Sequence, residues 1–109
     1  MEGNGSEIVV LVTAPSSEEA ERLGMLVVSS GLAACANIVK GVQSIFCWDN
    51  KVNAENECLM IIKTTMDRFS DLEAAVRNHH SYSVPEIIAL PIVRGSEPYL
   101  EWIRGETHK

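Results

Sequence analysis

The stretch Glu7-Ile8-Val9-Val10-Leu11-Val12-Thr13-Ala14-Pro15-Ser16-Ser17-Glu18-Glu19 decides the fold. Glu7 to Thr13 is a β-branched apolar run without alternation, the pattern of a strand covered on both faces and therefore central in its sheet. Ala14-Pro15 breaks the strand. Ser16 followed three residues later by Glu19 is a capping box, which predicts a helix running to about Ser30 with Gly31 as its stop. Ala20, Leu23 and Val27 supply its apolar stripe.

Working outward, Leu32 to Trp48 reads as a long extended segment interrupted at Lys40-Gly41, where a glycine within a strand marks a bulge or bend. Asp49-Asn50-Lys51 is turn chemistry, so Val52 to Thr64, with its apolar run Cys58 to Ile62, returns as a hairpin partner. Phe69, Leu72 and Val76 at helical spacing predict a second helix from about Asp67 to Asn78, with Asp67 in the first turn where the helix dipole favours an anion. Val84 to Val93 is a last strand, and Pro85 and Pro91, which cannot donate ladder hydrogen bonds, place it at the edge. Arg94-Gly95 turns the chain, and Ser96, Leu100 and Ile103 predict a short third helix ending near Gly105. The order βαββαβ plus a terminal helix is α+β and ferredoxin-like: an antiparallel sheet with two helices on one face.

The totals exclude several classes of function. A chain of 109 residues needs one core, and 46% hydrophobic with 22% charged residues is ordinary globular composition. Residues 1–6 read as a floppy arm ahead of a single domain, 7–109. The net charge of −6 repels polyanions and attracts cations, which argues against a nucleic-acid partner. No apolar run approaches the ~18 residues of a membrane span, and Met1 to Ser6 lacks the basic and apolar regions of an export signal. Cys35, Cys47 and Cys58 are too few and too widely spaced for a disulfide scaffold or a zinc knuckle, so they read as reduced thiols in a cytoplasmic protein.

Several segments then resemble, in order and spacing, the signatures of the divalent-cation tolerance (CutA) family. They are Val12 to Pro15, Leu32 to Ile38, Gly41 to Ile45 leading to Trp48, Ile62 to Thr64, Tyr82 to Ile87, and Tyr99 to Trp102. The resemblance implies a ferredoxin-like protomer, a homotrimer built by pairing sheet edges, a link to tolerance of copper or other divalent cations, and an architecture shared with PII-like signalling proteins. Two positions depart from the family pattern. His80-Ser81-Tyr82 stands where His-Pro-Tyr is usual, so a less rigid turn is expected there, and Val12 occupies a place where some members carry cysteine.

Among candidate metal ligands, His79 and His80 lie at a helix end, where free carbonyls favour a cation and neutral imidazole suits copper or zinc. Adjacent helical residues point about 100° apart, so one of the two is expected to ligate while the other caps or packs. Glu86 is close enough in sequence for a tight turn to bring it to His79, either as a ligand or as a carboxylate that orients one. Cys35 is the one thiol with a claim to function; Cys47 and Cys58, among apolar neighbours, read as core. Trp48, Tyr82, Tyr99 and Trp102 are expected to fill subunit interfaces or seal the sheet face.

The reading that follows is a protein that binds copper(II) or another divalent cation without organic cofactor, using His79 and Glu86 with His80 as the alternative imidazole and Cys35 as the candidate thiol. Its affinity should fall below the ordinary histidine pKa of about 6.5. A PII-like sensor binding a small ligand at subunit clefts is the alternative. An acylphosphatase-like enzyme ranks last: Gly41 to Phe46 faintly resembles the Val-Gln segment of those enzymes, but no arginine stands in the first strand-helix loop to hold a phosphate.

Overall fold

The computed structural model describes residues 6–108. The chain runs β1 (Glu7–Ala14), α1 (Ser17–Ser29), β2 (Cys35–Trp48), β3 (Lys51–Thr65), a 3-10 turn (Met66–Arg68), α2 (Phe69–His79), β4 (Ile87–Pro91) and α3 (Glu97–Thr107). The strands form one sheet in the order β2-β3-β1-β4, every neighbouring pair antiparallel. β1 is central and β4 lies at the edge, as the sequence predicts.

Side chains alternate across β1, so Ile8, Val10, Val12 and Ala14 share one face with Ile62, Met60 and Cys58 of β3. α1 and α2 close that face through Ala20, Leu23, Val27, Leu72 and Val76, all fully buried. Each large aliphatic group so removed from water stabilises by roughly 1.5–3 kcal/mol. Cys58 belongs to this core, as expected. The Ser16 hydroxyl accepts from Glu19 N at 3.2 Å, half of the expected capping box. The reciprocal half is absent: the Glu19 carboxylate reaches instead to Ser81 N at 2.8 Å. Gly31, at φ +77, lets the chain leave α1 where a side chain would be strained.

The opposite sheet face carries Val9, Leu11 and Thr13 alongside Lys63, Ile61 and Leu59 of β3 and Leu90 and Ile88 of β4. α3 covers only one end of it, packing Leu100 and Ile103 against Ala34 and Ile92. Here β1 departs from the expectation of cover on both faces. In one chain Leu11, Leu59 and Ile61 are half-buried, and Ile88 and Leu90 remain 49% and 48% exposed.

β2 and β3 outrun the rest of the sheet. β1 ends at the Ala14–Cys58 pair, whereas β2 and β3 continue from Val42–Glu57 to Trp48–Lys51 as a two-stranded arm of about 23 Å, at ~3.3 Å per residue. The arm accounts for the 46 Å long axis of the molecule. Asp49 and Asn50, both at positive φ, make its tip the tight hairpin turn expected. The interruption at Lys40-Gly41 is a β-bulge, the register shifting between Val39 and Val42 with Gly41 at φ +74. Cys47 lies on this arm and is exposed, not in the core, because no third layer reaches that far.

Several boundaries shift, and β2 begins at Cys35 rather than Leu32. α2 starts at Phe69, since Asp67 sits in the preceding 3-10 turn and accepts from Thr65 Oγ1 at 2.7 Å. β4 is only Ile87–Pro91, since its pairing with β1 runs from Ile8–Pro91 to Val12–Ile87. α3 passes through Gly105 to Thr107, where Arg68 Nε donates to Thr107 O at 2.7 Å and His108 Nε2 lies 2.8 Å from Asp67 Oδ2. The arm expected at 1–6 falls outside the described residues except for Ser6. That residue is tied down: its hydroxyl bonds Glu7 and its carbonyl accepts from Met66 N.

Candidate functional site

Beyond the end of β1, the arm and the segment between α2 and β4 enclose an open groove of about 900 Å³. With the register set by the bulge, Ser44, Phe46 and Trp48 fall on the same side of the arm as Glu55 and Glu57, and all five line the groove. Tyr82 and Glu86 line the other wall.

Each predicted ligand has a definite place. The His80 side chain is fully buried, and both ring nitrogens are engaged: Nε2 lies 2.8 Å from Thr13 O, and Nδ1 is 3.0 Å from Tyr82 N. A carbonyl only accepts and an amide N–H only donates, so Nε2 carries the proton and Nδ1 accepts. His80 is therefore the residue of the pair that packs, joining the end of α2 to the end of β1. His79 is exposed; its Nδ1 lies 2.9 Å from Ala75 O, a bond that leaves Nε2 facing solvent. Glu86 sits at the groove rim, and its carboxyl is pushed above the ordinary value by desolvation and then by the charge of Glu57. Cys35 is elsewhere. It pairs with Lys63, which pairs with Val9, whereas His80 bonds Thr13 four residues farther along β1; its thiol lies 3.7 Å from the Tyr99 hydroxyl. Among the described residues no three His, Cys, Asp or Glu side chains group closely enough to hold one metal ion.

The sequence reading missed Glu57, which is 7% exposed and accepts from the Tyr82 hydroxyl at 2.6 Å. Burial, that bond and the neighbouring carboxylates raise the Tyr82 pKa above its ordinary value, so Tyr82 stays a proton donor. The tilted His80 and Tyr82 rings, 4.9 Å apart, continue the same chain of contacts. Ser81 was expected to loosen this turn. It does the reverse locally, since its N–H bonds buried Glu19 and a proline there has no N–H to give. Ser81→Pro should accordingly cost about 1–3 kcal/mol, the penalty of a buried acceptor losing its donor. Thermal melts check this: Ser81→Ala, which keeps the N–H, should match the wild type, and a Ser81→Pro midpoint equal to both would refute the role given to Glu19.

The split βαβ topology with a third helix across one end places the chain among ferredoxin-like α+β proteins. The sequence model of the family described as "CutA1 divalent ion tolerance protein" matches residues 8–106, and the chain belongs to that family. A divalent-cation tolerance protein CutA of Thermus thermophilus is 46% identical over 93% of this chain and 98% of its own length. The solved structure of a Thermus thermophilus divalent cation tolerance protein superposes with a TM-score of 0.91 over 93% of this chain and 98% of that one. The chloroplastic CutA of Arabidopsis thaliana is also 46% identical, over 92% of this chain, which spans about half (55%) of that longer protein. A structure named as the periplasmic divalent cation tolerance protein CutA of Archaeoglobus fulgidus is 39% identical, with a TM-score of 0.91 over 94% of this chain and 99% of that one.

Proposed function

We propose that the protein is a homotrimer that binds copper or another divalent cation in the cellular response to metal ions, without catalysing a reaction. The observation that carries the assembly is the second face of β1. Its sequence is that of a strand covered on both sides, yet in one chain Leu11, Ile61, Ile88 and Leu90 keep apolar surface exposed. The arm adds to it, because Ile45, Phe46, Trp48 and Val52 are 68%, 40%, 54% and 79% exposed on a two-stranded ribbon, which is marginal in water without further packing. Copies of the same chain supply both covers.

For the ion, the groups free to ligate are His79 Nε2 and the Glu86 carboxylate, and imidazole with carboxylate suits Cu(II) better than Cu(I). Calorimetric titration with Cu(II) should show His79→Ala and Glu86→Gln each weakening binding about tenfold, with His80→Asn and Cys35→Ser close to wild type. Affinity should fall with pH earlier than for an ordinary carboxylate site, since the raised pKa of Glu86 lets protons compete sooner. Unchanged binding in both His79→Ala and Glu86→Gln would dismiss this site. The same preparation should not turn over acetyl phosphate, because no arginine occupies the β1–α1 connection, which reads Pro15-Ser16. Free Cys35, Cys47 and Cys58 support a cytoplasmic location, which fractionation of the source cells checks.

A further inference from the structure

We propose that His108 and Asp67 form a pH-dependent latch that holds the last turn of α3 onto the 3-10 turn, closed while His108 is protonated and released as it loses its proton. The latch is independent of the ion site. It lies by the start of β1, where Glu7 pairs with Thr65, whereas the His80 segment is bonded to Thr13 near the other end of that strand. His108 is the C-cap of α3, where free helix carbonyls favour a cation. Its Nε2 lies 2.8 Å from Asp67 Oδ2, and its Nδ1 lies 3.0 Å from Arg104 O and 3.1 Å from Thr107 Oγ1. Each of these neighbours is an acceptor: a carboxylate and a carbonyl only accept, and the Thr107 hydroxyl directs its own proton to Ile103 O at 2.9 Å. Only the imidazolium, with a proton on each nitrogen, satisfies both sides. A neutral ring loses either the bond to Asp67 or the bond back to α3.

The charges around the ring favour its protonated form. Asp67 faces it from the 3-10 turn, with its other oxygen held by Thr65 Oγ1 at 2.7 Å. Arg68, on the same turn, opposes protonation, while Arg104, one turn back on α3, points its guanidinium at Glu7 and Glu97. Glu106 lines the adjoining cleft from α3, and α1 brings only Val28, Ser29, Ser30 and Gly31 to it. The bond to Asp67 is the largest cause that lifts the His108 pKa above its ordinary 6.5. A raised pKa contributes stability that is complete below 6.5 and is lost as pH rises through the folded value. What the latch restrains is a weak turn. Gly105 lowers the helical tendency there although a Cβ at that position would meet nothing within 4 Å. Two outside clasps hold the turn, Arg68 Nε on Thr107 O and His108 on Asp67, and only the second titrates near neutral pH. Thr107, 1% exposed, walls the cleft of about 330 Å³ between the end of α1 and α3, so fraying of this turn uncovers Thr107 and widens the cleft.

The test is amide hydrogen exchange of the full-length protein, expressed as protection factors so that the intrinsic pH dependence of exchange cancels. Relative to Leu72 and Val76 of the core, Glu106 and Thr107 should lose protection about two- to fivefold between about pH 5.5 and about pH 8.5, the worth of an exposed ion pair. Asp67→Asn, which keeps an oxygen for Thr65, and His108→Gln should each show at the lower pH the protection that the wild type shows at the higher one. The His108 ring, followed by nuclear magnetic resonance, should titrate at a higher pH in the wild type than in Asp67→Asn. Protection of the last turn that ignores pH, or a His108 midpoint unmoved by Asp67→Asn, would overturn the latch.

Discussion

Arg104→Ala should lower the free energy of unfolding, because it leaves the Glu7 carboxylate without its charged partner. Glu7, fully buried at the start of β1, receives Arg104 Nη1 at 2.7 Å on Oε2, and among the described residues Oε1 has no hydrogen-bond partner. Burial pushes the Glu7 carboxyl up, but the hydrogen bonds from Ser6 and Arg104 and the guanidinium charge outweigh it, and the pKa lies below the ordinary 4.5. A depressed pKa contributes stability that is present above 4.5 and is lost as pH falls through the folded value. Without Arg104 only the Ser6 and backbone hydrogen bonds oppose burial, so the folded pKa rises and the stability gained as pH climbs above the unfolded value should shrink. Urea unfolding at fixed protein concentration between about pH 4 and 7 measures both effects, and Glu7→Gln in the Arg104→Ala background should recover much of the loss. Unchanged stability, or the same pH slope as the wild type, would show that the ion pair does not hold α3 to the sheet.

Ile61→Glu should convert the assembly to single chains. Ile61 lies between Leu11 and Asn37 in the row of the second sheet face that also holds Ile88, so a carboxylate there meets uncovered apolar surface in the free chain but is trapped without a partner when copies close over it. Light scattering coupled to gel filtration should give three times the 12.0 kDa chain mass for the wild type and one chain for the variant. Because the core face is untouched, the far-ultraviolet circular dichroism of the variant should remain that of the folded chain. A wild-type mass of one chain ends the trimer reading, and an unchanged mass for Ile61→Glu moves the contact to another surface.

The elements whose signals are local were legible in the sequence. The strand ending at Ala14-Pro15, the Ser16 cap, the stop at Gly31 and the turn at Asp49-Asn50 each depend on a few adjacent residues, and each appears where expected. The site was legible only in part. His80 is disposed by Thr13, 67 positions away, and Glu57 by Tyr82, 25 positions away, so neither role has a short-range pattern. Glu57 ends the polar stretch Asn53 to Glu57, which reads as solvated surface until Tyr82 is placed beside it. Cys47 was misread because apolar neighbours imply a core only where a second layer exists, and the arm has none within the chain.

The bulge at Lys40-Gly41 bears on how the sequence tolerates insertion and deletion. Between Val39–Leu59 and Val42–Glu57, β2 spends two residues where β3 spends only Cys58. That surplus residue changes the parity of β2 while β3 alternates without a break: before it odd-numbered Asn37 and Val39 stand opposite odd-numbered Ile61 and Leu59, and after it even-numbered Ser44, Phe46 and Trp48 stand opposite odd-numbered Glu55, Asn53 and Lys51. Loss of one residue at Lys40-Gly41 would be absorbed by loss of the bulge, the other facing Cys58 and every pair from Val42–Glu57 to the tip being kept. The bulge is thus a slack point in the hairpin, where a deletion costs the bend but not the pattern of side chains that the arm presents.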